Sequence, residues 1–178
     1  MTQIYRDRDD TFGLRRAEQN RVGSGRPHAD PVSRVKISDE NTFIMLEEMK
    51  KLTLRNIGIV KIPKVGAKLE VLDLFDNKIS KLEENSLDGS YNLQDLNLRR
   101  NQIFQIDNDF FSHNDAVSLT TVDLSDNNLL SLDPENFRNI VTKQNIRIIA
   151  YRNKFELSFS KKLLLCNIWR LILIVVKV

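Results

Sequence analysis

The 178-residue sequence predicts an α/β solenoid, in which short parallel strands stack side by side. Two features of the sequence support this prediction. An eleven-residue string recurs three times, as LEVLDLFDNKI, LQDLNLRRNQI and LTTVDLSDNNL, starting at Leu69, Leu93 and Leu119. Each copy has apolar residues at positions 1, 4, 6 and 11 and asparagine at position 9. The copies start 24 and 26 residues apart, and such periods are typical of repeat architectures.

The apolar spacing within each copy predicts a short strand with one buried face. Positions 4 and 6 lie on the same side of a strand because side chains alternate between its two sides. One copy cannot bury that side alone, so neighbouring copies must stack into a curved array. We therefore expect a parallel sheet on the concave face and irregular or short helical segments on the convex side.

The asparagine at position 9 has a structural explanation. The chain turns sharply after each strand, which leaves backbone N–H and C=O groups without sheet partners. An asparagine side chain satisfies both kinds of group because it donates and accepts hydrogen bonds. The copy that starts near residue 49 has Ile57 in this position, so its turn must be built differently. We predict a buried structural ladder formed by Asn77, Asn101, Asn127 and Asn153.

These repeated residues resemble the leucine-rich repeat family. Position 19 is also apolar in three copies, as Leu87, Phe111 and Phe137. A phenylalanine there resembles the "typical" subtype, found in extracellular receptors, Slit- and Toll-like proteins and matrix proteoglycans. The resemblance implies a non-catalytic module that recognises other proteins. The cysteine-rich caps that flank the repeats of those relatives have no counterpart here, because the sequence contains only Cys166.

Three segments are predicted along the chain. Residues 1–31 are rich in Arg, Asp, Gly and Pro without an apolar period, which predicts a flexible arm. Residues 32–156 are predicted as the repeat domain, with copies that start near 49, 69, 93, 119 and 145. A partial first strand would close the open edge of the first copy, with apolar residues at Val32, Val35 and Ile37.

The third segment, residues 157–178, ends in the apolar string LLLCNIWRLILIVVKV from Leu163. Its sixteen residues are fewer than the roughly 20 that span a bilayer, and Arg170 interrupts them. Three interpretations remain open: a cap over the last repeat, a membrane-associated tail at 163–178, and a sequence without an evolved role.

The composition bounds location and chemistry. Basic residues exceed acidic ones only in the leading 36 residues, so we expect no nucleic-acid surface on the repeats. The absence of an opening apolar core and of a disulfide framework favours the cytoplasm, whereas the family subtype favours an extracellular or membrane-associated location. His28 and His113 belong to no recognisable catalytic motif, so we expect neither an enzyme nor a cofactor.

Aspartates at positions 5 and 8 could suggest a calcium site. Equal positions of neighbouring copies stack about 4.8 Å apart, however, so Arg100 would lie between the two aspartate pairs and repel a cation. We therefore expect no metal, and instead a ladder of alternating charge at position 8, formed by Asp76, Arg100, Asp126 and Arg152.

Position 7 is the best candidate for partner binding. It reads Arg55, Phe75, Arg99, Ser125 and Tyr151, all directed away from the core by strand alternation. Arginines and exposed aromatic residues dominate interface hot spots. Position 5 extends the surface with Thr53, Asp73, Asn97, Asp123 and Ile149. We predict a monomer that binds a protein ligand there. The alternative is a membrane-attached or cytosolic scaffold, or a fragment of a larger receptor, whose C-terminal tail sets its location.

Overall fold

The structure, a computed structural model, describes residues 2–6, 11–16, 48–111, 118–132 and 146–155. For the first two ranges, only the backbone is described. Within these ranges the strands are β1 (Thr2–Arg6), β2 (Thr11–Arg16), β3 (Lys51–Leu54), β4 (Val71–Asp73), β5 (Lys81–Leu82), β6 (Asp95–Asn97), β7 (Gln105–Ile106), β8 (Thr121–Asp123) and β9 (Arg147–Ile149).

The predicted solenoid is confirmed by the order of these strands. One seven-stranded sheet runs β1-β2-β3-β4-β6-β8-β9, and every neighbouring pair from β2 onward is parallel. The register places equal repeat positions opposite one another, so Leu72 faces Leu52 on one side and Leu96 on the other. Strands β5 and β7 pair in parallel as a second, two-stranded sheet. Each repeat thus contributes one turn of the solenoid.

The core consists of the stacked apolar positions. Leu54, Leu74 and Leu98 at position 6 are fully buried, and the residues at position 4 are at most 2% exposed. At position 19, Leu87 and Phe111 are 3% and 1% exposed. These columns exclude water on the inner side of the sheet, and burial of each such side chain contributes about 1.5–3 kcal/mol.

The convex segments are turns. The described residues contain no helix. The turn at 107–111 packs inward through Phe110, whose ring meets that of Phe111 edge to face with centroids 4.5 Å apart. No helix among the described residues is long and apolar enough to cross a membrane. Phe137 and the tail at 157–178 lie outside the described residues.

The asparagine column joins each turn to its neighbour. The Asn101 side-chain amide donates to the carbonyl oxygens of Leu98 in its own repeat (2.9 Å) and of Leu74 in the preceding one (3.0 Å). Its side-chain oxygen accepts the backbone N–H of Ile79 at 3.1 Å. The same three kinds of contact recur at Asn77, Asn127 and Asn153. One side chain per repeat therefore satisfies three backbone groups that have no sheet partner.

The first turn uses the asparagine of the next repeat. Ile57 occupies its position 9 and packs partly buried against the core. The side-chain oxygen of Asn77 accepts three backbone N–H groups from this turn, those of Ile57, Gly58 and Ile59, at 3.2, 3.1 and 3.1 Å. Gly58 has a φ of +83°, a value that residues with a side chain rarely adopt. The turn thus closes without an asparagine of its own.

Position 8 adopts the left-handed conformation in every repeat, with φ values between 51° and 59° at Asn56, Asp76, Arg100, Asp126 and Arg152. This conformation directs the N–H of Arg100 to the carbonyl of Ser125 in the next repeat, at 3.0 Å, and the other repeats do the same where the next repeat is described. Asparagine and aspartate tolerate this conformation better than arginine does. The arginines are therefore held there by the neighbouring repeats.

The N-terminal edge differs from the prediction. We predicted a flexible arm at 1–31, but β1 and β2 lie within it and form an antiparallel hairpin that extends the sheet. β2 pairs with β3 in parallel, with Phe12 and Leu14 in register with Leu52 and Leu54. The hairpin supplies partners for the backbone groups at the edge of β3, which would otherwise be unpaired. The predicted strand at 32–37 lies outside the described residues.

The last copy continues the sheet despite its loose match. Ile148 and Ala150 are fully buried, and Phe155 packs partly buried against the core. Asn153 is less buried than the asparagines before it, since no described repeat follows. The repeat pattern therefore holds through Phe155.

We expect Asn101→Ala to lower the free energy of unfolding by at least about 3 kcal/mol, because three buried backbone groups lose their partner and each costs about 1–3 kcal/mol. Urea unfolding followed by circular dichroism measures the change. Asn108→Ala, at an exposed turn residue, is the matched control and should stay within about 0.5 kcal/mol of the parent chain. Equal stabilities of the two variants would contradict the role of the ladder.

Candidate functional site

Phe75 lies at the centre of a cluster of guanidinium groups on the outer face of the sheet. Its ring centroid is 5.7 Å from the Arg55 guanidinium carbon, 6.0 Å from that of Arg99 and 5.5 Å from that of Arg100. At such distances the positive charge is attracted to the ring face, by about 0.5–1 kcal/mol at exposed sites. Phe75 remains partly exposed, so its ring is available to a partner.

Arg99 links this cluster to Tyr151, three strands from Phe75 across the sheet. Its Nε atom donates to Asp126 Oδ2 at 2.7 Å, and its guanidinium carbon lies 5.4 Å from the Tyr151 ring centroid. Arg152 approaches the same ring at 5.6 Å. The result is a continuous strip of alternating arginine and aromatic side chains on the sheet face.

Ser125, which we predicted to point away from the core at position 7, is not accessible. It is fully buried, and the Arg99 side chain reaches from the preceding strand to Asp126 and Tyr151, which lie beyond Ser125. The small side chain of Ser125 leaves room for the arginine. Within the described residues, the Ser125 hydroxyl has no hydrogen-bond partner. Of the five residues predicted at position 7, the structure therefore leaves four accessible.

Position 5 orients position 7. In three successive repeats the position 5 side chain accepts the backbone N–H two residues later, an arrangement known as an Asx turn. The pairs are Asp73 with Phe75 (3.1 Å), Asn97 with Arg99 (3.0 Å) and Asp123 with Ser125 (2.9 Å). These polar residues thus support the strip from below, whereas Thr53 and Ile149 are half-buried in β3 and β9.

Asp73 is also enclosed, at 7% exposure. Its Oδ2 atom accepts from Arg55 Nε at 2.6 Å, and its Oδ1 atom accepts from the Asn97 side chain at 3.1 Å. All of its acceptor capacity is used inside the sheet face. Asp73 therefore holds Arg55 in place and has no acceptor left for another group.

The charge column at position 8 forms two pairs. Arg100 lies 3.7 Å from Asp76, and Arg152 lies 3.5 Å from Asp126. The shorter contact of Asp126 is to Arg99, which belongs to position 7 and was not expected in this column. Sequence spacing did not reveal it because a long arginine side chain reaches beyond its own column. Arg100, Asp126 and Arg152 thus join the site.

The ion pair between Arg99 and Asp126 shifts the pKa values of both groups. Burial raises the pKa of Asp126, but the hydrogen bond from Arg99 and the charges of Arg99 and Arg152 outweigh it, so the pKa lies below its usual value. The hydrogen bond to Asp126 raises the pKa of Arg99. Both groups are charged at neutral pH. Within the described residues, no group of three His, Cys, Asp or Glu residues could hold a metal ion.

We expect Ser125→Ala to leave stability unchanged or to raise it by up to about 1 kcal/mol, because the variant removes a buried hydroxyl without a described partner. Thermal and urea unfolding measure the effect. Ser118→Ala is the control, since the Ser118 hydroxyl donates to the Tyr91 carbonyl at 2.8 Å and its loss should cost about 0.5–1 kcal/mol. A larger loss at Ser125 than at Ser118 would contradict this assignment.

Asp126→Asn should remove a stabilising interaction that depends on pH. Because the folded-state pKa is lowered, the ion pair stabilises fully above the unfolded pKa of about 3.9 and is lost as pH falls through the folded value. The stability difference between parent and variant should therefore be constant above about pH 5 and shrink below about 3.9. Asparagine keeps the left-handed backbone, which it tolerates.

Urea unfolding at several pH values tests this prediction. Asp95→Asn is the matched control, because Asp95 is exposed and makes no ion pair among the described residues. A stability difference for Asp126→Asn that is the same at pH 2 and pH 7 would contradict the prediction.

Comparisons with known proteins agree with this geometry. The family model described as Leucine Rich Repeat matches residues 118–140. A solved structure titled "Structure of the Toll - Spatzle complex, a molecular hub in Drosophila development and innate immunity" is similar, with a TM-score of 0.57 and 20% sequence identity. The similarity covers 67% of this chain and 16% of that one. No curated protein matches the sequence. The matched residues, the stacked parallel sheet and the asparagine ladder make the chain similar to leucine-rich repeat proteins in fold.

Proposed function

We propose that the chain binds another protein through the concave face, the side of the seven-stranded sheet opposite the core. The observation that carries this proposal is the strip formed by Phe75, Tyr151 and the four arginines around them, Arg55, Arg99, Arg100 and Arg152. Folding does not require aromatic rings on the outer side of a strand. Arginine and tyrosine are, however, enriched among residues that dominate binding energy.

The preparation of the strip before binding supports the same function. Asp73 and Asp126 hold Arg55 and Arg99 in place, and the ring contacts restrict the guanidinium groups further. Side chains already fixed in the free protein lose less conformational entropy on association. The similar Toll structure, by its title, contains a complex with Spatzle, and a protein partner for this chain accords with that likeness.

The alternative function, a scaffold whose C-terminal tail sets its location, depends on residues 163–178, which lie outside the described residues. It stays a prediction, as do the cell-surface and innate-immune assignments implied by the family subtype.

A selection of peptide ligands from a phage-displayed library against the whole chain tests the proposal. We expect the affinities of selected ligands to fall at least about ten-fold for the double variant Phe75→Ala/Tyr151→Ala, as is usual for hot-spot aromatics. Tyr91→Ala is the matched control, because Tyr91 is 50% exposed and lies outside the strip. Circular dichroism establishes that the variants fold. Ligands that bind the double variant as well as the parent chain would refute the proposed face.

A further inference from the structure

The charges of the solenoid are balanced in number but segregated in space. Among the described residues from 48 to 155, thirteen are basic and twelve acidic. Repeat positions 7 to 13, which run from the strand end around the asparagine turn, carry eight of the basic and two of the acidic residues. The basic edge consists of Arg55, Lys61, Lys78, Lys81, Arg99, Arg100, Arg152 and Lys154. All other positions carry five basic and ten acidic residues.

The two carboxylates within this edge do not neutralise it. Asp126 is enclosed by Arg99 and Arg152, and its side chain is 20% exposed. Asp76 is 35% exposed beside Arg100. By contrast, the side chains of Arg55, Arg100 and Arg152 are 58%, 56% and 69% exposed. Two carboxylates outside the edge, Asp73 and Glu83, pair with Arg55 and Lys61, and the exposed charge of the edge remains positive because basic residues still outnumber these four carboxylates.

An apolar column runs along the same edge at position 12. Val60, Phe104 and Leu130 are 61%, 52% and 53% exposed, and they are three of the four large exposed hydrophobic residues in the described chain. Backbone hydrogen bonds keep equal positions adjacent beyond the sheet, as from Phe104 N to Ser80 O at 3.0 Å. Ser80 takes position 12 in the remaining full repeat. Exposed apolar residues clustered beside charge mark interaction surfaces.

We propose that the basic edge binds an acidic protein segment in an extended conformation, whose apolar side chains contact Phe104 and Leu130. This proposal rests on the proposed function, because it names the partner class of the surface that includes the same strip. Charge complementarity carries it, because the basic edge contains eight basic residues and two carboxylates. Such complementarity steers encounter and fixes the register of a bound chain.

The column spacing fits an extended chain. Arg100 and Arg152 occupy position 8 two strands apart, and two strand spacings of about 4.8 Å give roughly 10 Å. In a peptide extended as a polyproline II helix, which has three residues per turn and a rise of about 3.1 Å per residue, carboxylates three residues apart lie on the same side and are separated by about 9 Å. Acidic residues at every third position would therefore meet Arg100 and Arg152.

The test uses a fluorescein-labelled peptide of four Glu-Ser-Leu units, with a Gln-Ser-Leu peptide as the uncharged control. Fluorescence anisotropy with the full chain should show binding of the glutamate peptide, weakening at least about ten-fold as salt is raised from low to high ionic strength. The glutamine peptide should bind at least about ten-fold more weakly.

Two variants examine the charge. Arg100→Asn/Arg152→Asn should weaken glutamate-peptide binding about five- to thirty-fold, as expected for two exposed ion pairs. Asparagine suits the left-handed backbone at position 8, where Asn56 occurs naturally, so the fold should persist. The control Lys64→Asn/Lys68→Asn removes the same charge outside the basic edge and should bind like the parent.

A further pair examines the apolar column. Phe104→Ser copies the Ser80 of the neighbouring repeat and should weaken binding at least about three-fold, because it removes an apolar contact. Tyr91→Ser, which removes an exposed aromatic ring elsewhere, should have no effect.

Three outcomes would overturn the inference. Equal binding of the glutamate and glutamine peptides would show that the partner need not be acidic. Undiminished binding of the glutamate peptide to Arg100→Asn/Arg152→Asn would show that the basic edge is not the binding site. Binding of phosphatidylserine vesicles or single-stranded DNA without binding of the peptide would assign the edge to another class of anion. If the selected phage ligands depend on Phe75 and Tyr151 while the glutamate peptide does not bind, the proposed function stands and this inference fails.

Discussion

The asparagine ladder is the constraint on which the structure depends. A chain that reverses direction after a three-residue strand leaves backbone groups facing a core of leucine, where an unpaired donor or acceptor is costly. Asn77, Asn101, Asn127 and Asn153 satisfy those groups, and each spans two repeats while doing so. The left-handed residue at position 8 completes the arrangement, because its N–H reaches the next repeat. The hydrogen bonds that close each turn therefore also hold neighbouring repeats together.

Because the buried residues and the asparagine ladder hold the fold, the residues on the outer face of the sheet can vary. The buried positions supply the stability, and the outward positions of one column hold arginine, phenylalanine, serine and tyrosine on the same backbone. Stacking also brings together residues far apart in the chain, as with Arg99 and Asp126, which are 27 residues apart. A surface network of arginine, aspartate and aromatic rings thus arises from a regular scaffold. Its chemistry is set by the outward residues alone.

Much of the fold was predictable because the buried positions repeat. Leu74, Leu98 and Asn101 lie where their repeat positions require, and the copy with Ile57 is accommodated by its neighbour's asparagine. The N-terminal hairpin was not predicted, since strands that occur once, at the edge of the array, carry no periodic signal. The burial of Ser125 was not predicted either, because strand alternation gives the direction of a side chain but not what lies over it.

The sequence by itself determined the solenoid, its repeat boundaries and the inward columns, because water exclusion and backbone hydrogen bonding dictate residue type at those positions. Only the tertiary structure decided how the outward residues combine. Arg99 selects Asp126 and Tyr151 through the length of its side chain, and balanced charges separate into a basic edge because stacking sorts residues by repeat position. Such contacts depend on distances between columns, which no single repeat contains.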